Sequence, residues 1–176
     1  MANLEIERKF TVDDSWEPPE GTPCSHLRQA YLTDVGARVE ARVRAADEVR
    51  LMTFKAANVS GNSMVRKEIE FPIEPEVFEQ LWELSDGEAL SKVRWHVPLG
   101  DLEASVDIYE GTLQHLRVVE VEFESVEQAE AFVPPPWFGR EVTGTKEWNN
   151  RRLAASARER DRDGDGDGDA QGQGQR

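Results

Sequence analysis

Residues 5–10 read Glu5-Ile6-Glu7-Arg8-Lys9-Phe10, and the period of this stretch decides the fold. In a β-strand successive side chains point to opposite faces. Glu5, Glu7 and Lys9 therefore share one face, while Leu4, Ile6, Arg8 and Phe10 share the other. A single strand of this kind is an ordinary solvated edge, so the question is whether the pattern returns.

It returns along the whole chain. In 39–44, Glu40, Arg42 and Arg44 oppose Ala41 and Val43. In 51–55, Thr53 and Lys55 oppose Met52 and Phe54. In 66–71, Arg66, Glu68 and Glu70 oppose Ile69 and Phe71. In 92–97, Lys92, Arg94 and His96 oppose Val93, Trp95 and Val97. In 104–109, Asp107 opposes Val106 and Ile108. In 118–124, Glu120, Glu122 and Glu124 oppose Val119, Val121 and Phe123. With 27–32, where Gln29 and Tyr31 share a face, about eight strands result, each with one apolar and one polar side.

The polar sides carry charge where solvated strands usually carry Thr and Ser. Two carboxylates at i and i+2 stand roughly 6.6 Å apart along a strand. At an effective dielectric near 20 they repel by about 2.5 kcal/mol. The pairs Glu5/Glu7, Glu68/Glu70 and Glu120/Glu122, if confined, would together cost on the order of 7 kcal/mol, comparable to the net stability of a domain. Either water screens these faces or cations compensate them. A closed barrel provides the second solution, because inside and outside alternate along every strand. With the charged faces inside, Arg42, Arg44, Lys55, Arg66, Lys92 and Arg94 share a lumen with the Glu pairs. The outward apolar faces then need cover. Residues 75–84 place Val77, Phe78, Leu81 and Trp82 on one helical face. Residues 125–133 open with a Ser125/Gln128 capping box. A third helical stretch, 146–155, can close one end. The expected fold is therefore α+β: a closed antiparallel eight-stranded β-barrel, a tunnel with a charged lumen and helices packed outside.

The 176 residues suffice for one domain with a sizeable core. Neither a basic-then-apolar leader nor an apolar run of membrane length is present, so a signal-bearing or membrane-spanning chain is not expected. One cysteine, Cys24, allows no internal disulfide and suits a reducing cytoplasm. The net charge of -14 argues against nonspecific binding to nucleic acid or membrane. The domain is expected to occupy 1–153, followed by an acidic Gly/Asp/Gln-rich tail, 154–176, without structure of its own. Asp161, Asp163, Asp165 and Gly166 mimic the start of a calcium loop, but its twelfth position is Gly172 where a bidentate Glu is required. His26, His96 and His115 lie on separate segments without zinc-like spacing.

The ordered series EIERKF (5–10), LRQAYL (27–32), EARVR (40–44), MTFK (52–55), RKEIEF (66–71), SKVRW (91–95), VDIYEG (106–111), VEVEF (119–123), FVPPPWFGREVT (132–143) and KEWNNRRLA (146–154) resembles the CYTH domain, or triphosphate tunnel metalloenzymes, especially the short bacterial type. The resemblance implies a tunnel that binds triphosphate with Mg²⁺ or Mn²⁺. It implies metal ligation by Glu5, Glu7, Glu120 and Glu122, with Asp107 as a further ligand and Glu68 and Glu70 as ligands or water-orienting carboxylates. Lys9, Arg42, Arg44, Lys55, Arg66, Lys92, Arg94 and Lys146 are the expected triphosphate contacts, Lys9 alternatively tuning the metal carboxylates. Tyr31, Lys92, Glu68 and Glu70 are the candidate catalytic residues, Tyr31 for orienting water or for acid–base work. The closing motif departs from the family: Thr145 stands where an acidic residue is usual and Trp148 where a Tyr is usual. The expected reaction is hydrolysis of inorganic triphosphate. A class IV-type adenylate cyclase and a thiamine triphosphatase are the alternatives in the same family, and a noncatalytic polyphosphate-binding module is the alternative of another class. The expected partner is a small-molecule triphosphate, with a homodimer as the candidate assembly.

Overall fold

The computed structural model describes residues 3–56 and 65–165. Its strands are β1 (Asn3–Val12), β2 (Cys24–Tyr31), β3 (Val39–Ala46), β4 (Val49–Ala56), β5 (Val65–Pro72), β6 (Ala89–Leu99), β7 (Leu102–Tyr109), β8 (Arg117–Glu122) and β9 (Phe138–Glu141). Its helices are α1 (Pro75–Leu84), α2 (Val126–Ala131) and α3 (Asn150–Asp165). No described helix is long and apolar enough to cross a membrane.

Eight strands close into an antiparallel barrel in the order β5-β4-β3-β2-β6-β7-β8-β1, the ring being completed by β1 against β5. The closure uses β1 in two halves. Asn3 to Ile6 pair with β5 on one edge, and Glu7 to Thr11 pair with β8 on the other. Above the β5 pairing that same first edge is taken by β9, through Phe10 and Val12. This short ninth strand lies outside the eight strands read from the sequence. It approaches β1 so closely that a Cβ on Gly139 would sit 2.4 Å from Thr11 Oγ1, so only glycine fits there.

The apolar faces point outward, and the helices cover them. Phe78 of α1 is fully buried against Ala41, Val43 and Met52, with Leu81 and Trp82 beside it. Ala129 of α2 joins Ile6, Phe10, Val119, Val121 and Phe138 in a second cluster, flanked by Phe132 and Trp137. The start of α2 is capped as a variant of the expected box. Ser125 Oγ accepts from the Gln128 amide at 3.1 Å, and Gln128 Oε1 accepts from the Glu124 amide at 2.8 Å, one residue before the cap.

The third helix corrects the expected boundary at 153. Lys146–Trp148 form a single 3₁₀ turn, and α3 then runs from Asn150 to Asp165. Leu153, Ala154 and Ala157 pack on Tyr31, Leu90, Tyr109, Leu113 and Val118 and close one end of the barrel. Beyond them Arg158 pairs with Glu88 at 3.0 Å and with Asp86. The expected tail therefore contributes several helical turns to the fold. Asp161, Asp163 and Asp165 belong to that helix. Residues 166–176 lie outside the described residues.

Candidate active site

Inside the barrel lies a cavity of about 730 Å³ walled by side chains of β1 to β6, β8 and the segment 142–152. It exists because the same period that sends Ile6, Val43 and Val119 outward sends Glu5, Arg42 and Glu120 inward. The structure brings Glu5, Glu7, Lys9, Tyr31, Arg42, Arg44, Lys55, Arg66, Glu68, Glu70, Lys92, Arg94, Glu120, Glu122 and Lys146 onto this one wall.

The charges interlock in two groups. At the β1–β5–β4 seam, Lys55 Nζ lies 2.6 Å from Glu5 and 2.8 Å from Glu68. Arg66 lies 2.9 Å from Glu7 and 3.5 Å from Glu5. Glu70, further along β5, takes Arg44 at 3.1 Å and the Thr53 hydroxyl at 2.7 Å. The second group crosses β6, β7, β8 and β1. Arg94 donates to Asp107 and, at 2.6 Å, to Glu120, whose other oxygen meets Lys9 at 2.7 Å. Lys92 also pairs with Asp107. Lys9 is anchored further by the Trp148 carbonyl at 3.2 Å, which ties the barrel to the segment leading into α3.

Burial gives these charges their electrostatic character. Desolvation pushes the Lys92 ammonium down to about 8, and the nearby Arg94 pushes in the same direction against the pull of Asp107. Desolvation alone would raise Glu120, but Lys9 and Arg94 hold it well below the ordinary carboxylate range. Glu122 goes the other way: partial burial, then Glu5 and Glu7, raise it. Burial and Glu40 raise the Tyr31 phenol, with Arg42 opposing them. A phenol so placed stays neutral at pH 7. Tyr31 can thus orient water, with its hydroxyl held by Gln29 Nε2 at 2.7 Å, but it is no base.

Asp107 also departs from expectation. It is completely buried, does not line the cavity, and has both oxygens engaged by Lys92 and Arg94. It positions those two cations from behind and is not available as a metal ligand.

Among the described residues no three acidic, His or Cys side chains converge as a ready-made metal cage. The arrangement does fit a hard divalent cation that keeps most of its waters and shares its remaining positions with a phosphate. Glu5 Oε2 is buried without a hydrogen-bond partner, and Glu122 is raised by partial burial and by the charges of Glu5 and Glu7. Both would be relieved by a cation on Glu5, Glu7 and Glu122. Glu120, held by Lys9 and Arg94, is the less available member of its pair.

The structure also recruits residues that the strand pattern could not supply. Thr143, Asn150, Arg151 and Arg152, from the segment after β9, line the cavity. Arg151 is almost fully buried, donates to the Thr33 carbonyl at 2.6 Å, pairs with Glu88 and lies over the Tyr31 ring. Lys146 is exposed at the rim.

The chain is similar to proteins of known description over most of its length. It is 40% identical over 153 residues to an inorganic triphosphatase of Nitrosomonas europaea, covering 86% of this chain and 97% of that one. It is 30% identical to an inorganic triphosphatase of Acetivibrio thermocellus, covering 85% and 92%. A crystal structure of an inorganic triphosphatase superposes with a TM-score of 0.62 at 38% identity, over 85% of this chain and 93% of that one. The family model described as the CYTH domain matches residues 3–143. On this match the chain belongs to the CYTH domain family.

Proposed function

We propose that the protein hydrolyses inorganic triphosphate to pyrophosphate and phosphate within the barrel, with Mg²⁺ or Mn²⁺ as cofactor. One observation carries this reading: a single cavity holds Lys9, Arg42, Arg44, Lys55, Arg66, Lys92 and Arg94, drawn from five strands, together with three Glu pairs. A linear polyanion meets cations on several sides there, Arg offering planar forks and Lys point charges. The relatives described as inorganic triphosphatases support it further.

In this mechanism Arg42, Arg44, Arg66 and Arg94 hold the equatorial oxygens of the phosphates, and Lys92 and Lys9 sit against the developing negative charge. Glu5, Glu7 and Glu122 would hold the cation, which supplies charge neutralisation on the phosphate oxygens when bound. Water, oriented by Tyr31 or by a carboxylate of the Glu68/Glu70 pair, attacks the terminal phosphorus in line. A new P–O bond forms, the anhydride P–O bond breaks, and the electron pair leaves with pyrophosphate. The water's proton passes to a lumen carboxylate and then to solvent. Positioning and electrostatics supply most of the rate. An adenylate cyclase would also need a surface that reads a purine, and the cavity residues named here address phosphate and cation.

The test offers triphosphate, ATP and thiamine triphosphate separately with Mg²⁺ and identifies the products. The expected result is rapid release of phosphate and pyrophosphate from triphosphate, with the other two compounds turned over far more slowly. Cyclic AMP as the main product from ATP would overturn the hydrolase reading. Tight triphosphate binding without any product would make the protein a binding module.

A further inference from the structure

The seam between β1, β4 and β5 contains an arrangement that the hydrolytic reading alone does not require. Lys55 is buried, and its ammonium sits 2.6 Å from Glu5 Oε1 and 2.8 Å from Glu68 Oε2. Pairing registers Lys55 opposite Glu68 across β4–β5 and Glu5 opposite Arg66 across β1–β5, so the strand ladders fix this meeting. The contact with Glu5 is a hydrogen bond, whereas Glu68 Oε2 is in ion contact without one. Glu5 Oε2 is likewise buried without a hydrogen bond. One monovalent ammonium thus serves two carboxylates and leaves their acceptor capacity unfilled.

We propose that Lys55 is an internal counter-ion that occupies the Glu5 carboxylate in place of the divalent cation, and so holds down cation affinity until the ammonium is drawn away. This rests on the reading of Glu5 as a cation ligand given above. The physical basis is competition. A Mg²⁺ or Mn²⁺ ion takes carboxylate oxygens at about 2.1 Å with near-octahedral geometry. Lys55 stands on one oxygen of Glu5 and on Glu68, and its positive charge repels a second cation nearby. A lumen without Lys55 would leave Glu68 without this cation and Glu5 with only the Arg66 contact at 3.5 Å, a situation a divalent cation resolves. Phosphate oxygens are the natural alternative partner for the ammonium, so anion and cation binding become coupled, each favouring the other by the same factor.

The experiment titrates the full chain with Mn²⁺ in the absence of any phosphate, following the signal of free aqueous Mn²⁺ by electron paramagnetic resonance. Wild type is compared with Lys55→Met, which removes the charge and keeps the stem, and with Lys55→Arg, which keeps the charge. The expected result is Mn²⁺ binding at least about tenfold tighter in Lys55→Met than in wild type, and little changed in Lys55→Arg. Equal or weaker binding in Lys55→Met would overturn the proposal and leave Lys55 as an ordinary structural or substrate contact. Should Lys55→Met fail to fold without metal, Lys55→Gln is melted with and without Mn²⁺. A larger Mn²⁺-induced rise in melting temperature than in wild type supports the competition, and an equal or smaller rise refutes it. Because no triphosphate is present, a protein that bound triphosphate without cleaving it would give the same titration. Failure of the hydrolase reading and failure of this one are therefore distinguishable.

Discussion

Arg94 grips Asp107 with two parallel hydrogen bonds, Nε to Oδ1 and Nη2 to Oδ2, each 2.7 Å long. The carboxylate beneath is wholly buried, and Lys92 shares it. Two cations of the cavity wall are thus set in place by one anion that does not itself line the cavity. Removing one member of a buried ion group leaves the others uncompensated, at a cost of about 3 kcal/mol. Asp107→Asn is expected to lower the melting temperature markedly and to raise KM for triphosphate, while Mn²⁺ affinity stays near wild type. A tenfold or greater loss of Mn²⁺ affinity would return Asp107 to the list of ligands.

Glu122 makes the opposite case. Partial burial, and then its neighbours Glu5 and Glu7, raise its pKa, so its charge works against the metal-free fold. Glu122→Gln removes that repulsion. The metal-free variant is expected to melt no lower than wild type, while turnover falls about a hundredfold or more for want of a cation ligand. Glu5→Gln should lose turnover to a similar degree. Calorimetry and a phosphate-release assay check the pair of outcomes, and near-normal turnover in either variant with metal bound would exclude that residue as a ligand.

The inward Glu and Lys/Arg residues were legible in the sequence because strand alternation has a period of two and leaves little freedom once the apolar face is known. Asp107 was not. On its strand it looks like any other inward carboxylate, and only the register that sets Arg94 opposite it reveals that it is covered. The extent of α3 was hidden for a different reason. Its buried positions, Ala154 and Ala157, are small and lie among charged residues, so the stretch shows no apolar periodicity. Its partner Glu88 lies 70 residues away and cannot be inferred from local pattern.

The same helix supplies a stability prediction. Truncation after Ala155 deletes buried Ala157 and the Arg158 pairs with Glu88 and Asp86. Loss of a small buried side chain and partly exposed ion pairs is worth about 1–2 kcal/mol. A protein of this size should then melt about 2–8 °C lower. An unchanged melting temperature would show that α3 beyond Ala155 contributes nothing.

Outside the lumen, Arg8 donates to both oxygens of Glu141, at 2.8 and 2.7 Å, and to the carbonyls of Ala129 and Phe132, both at 2.9 Å. The hydrogen bond from Arg8 holds the Glu141 carboxyl below its ordinary range. A lowered carboxyl pKa contributes stability above the unfolded-state pKa and loses it as pH falls through the folded value. Glu141→Gln should therefore be slightly less stable than wild type near neutral pH, by under about 1 kcal/mol, since the carboxylate is largely solvent-facing. The gap should close in acid. Denaturant melts at several pH values measure it, and a gap that is constant or widens toward low pH would contradict the assignment.

Hydrolysis at the terminal phosphorus is most directly tested by following triphosphate and Mg²⁺ with the protein in ¹⁸O-enriched water by phosphorus NMR. The expected spectrum shows equimolar phosphate and pyrophosphate, with one solvent oxygen in the phosphate and none in the pyrophosphate. Solvent oxygen in the pyrophosphate would place attack at the central phosphorus, and a bound but uncleaved triphosphate would contradict catalysis altogether.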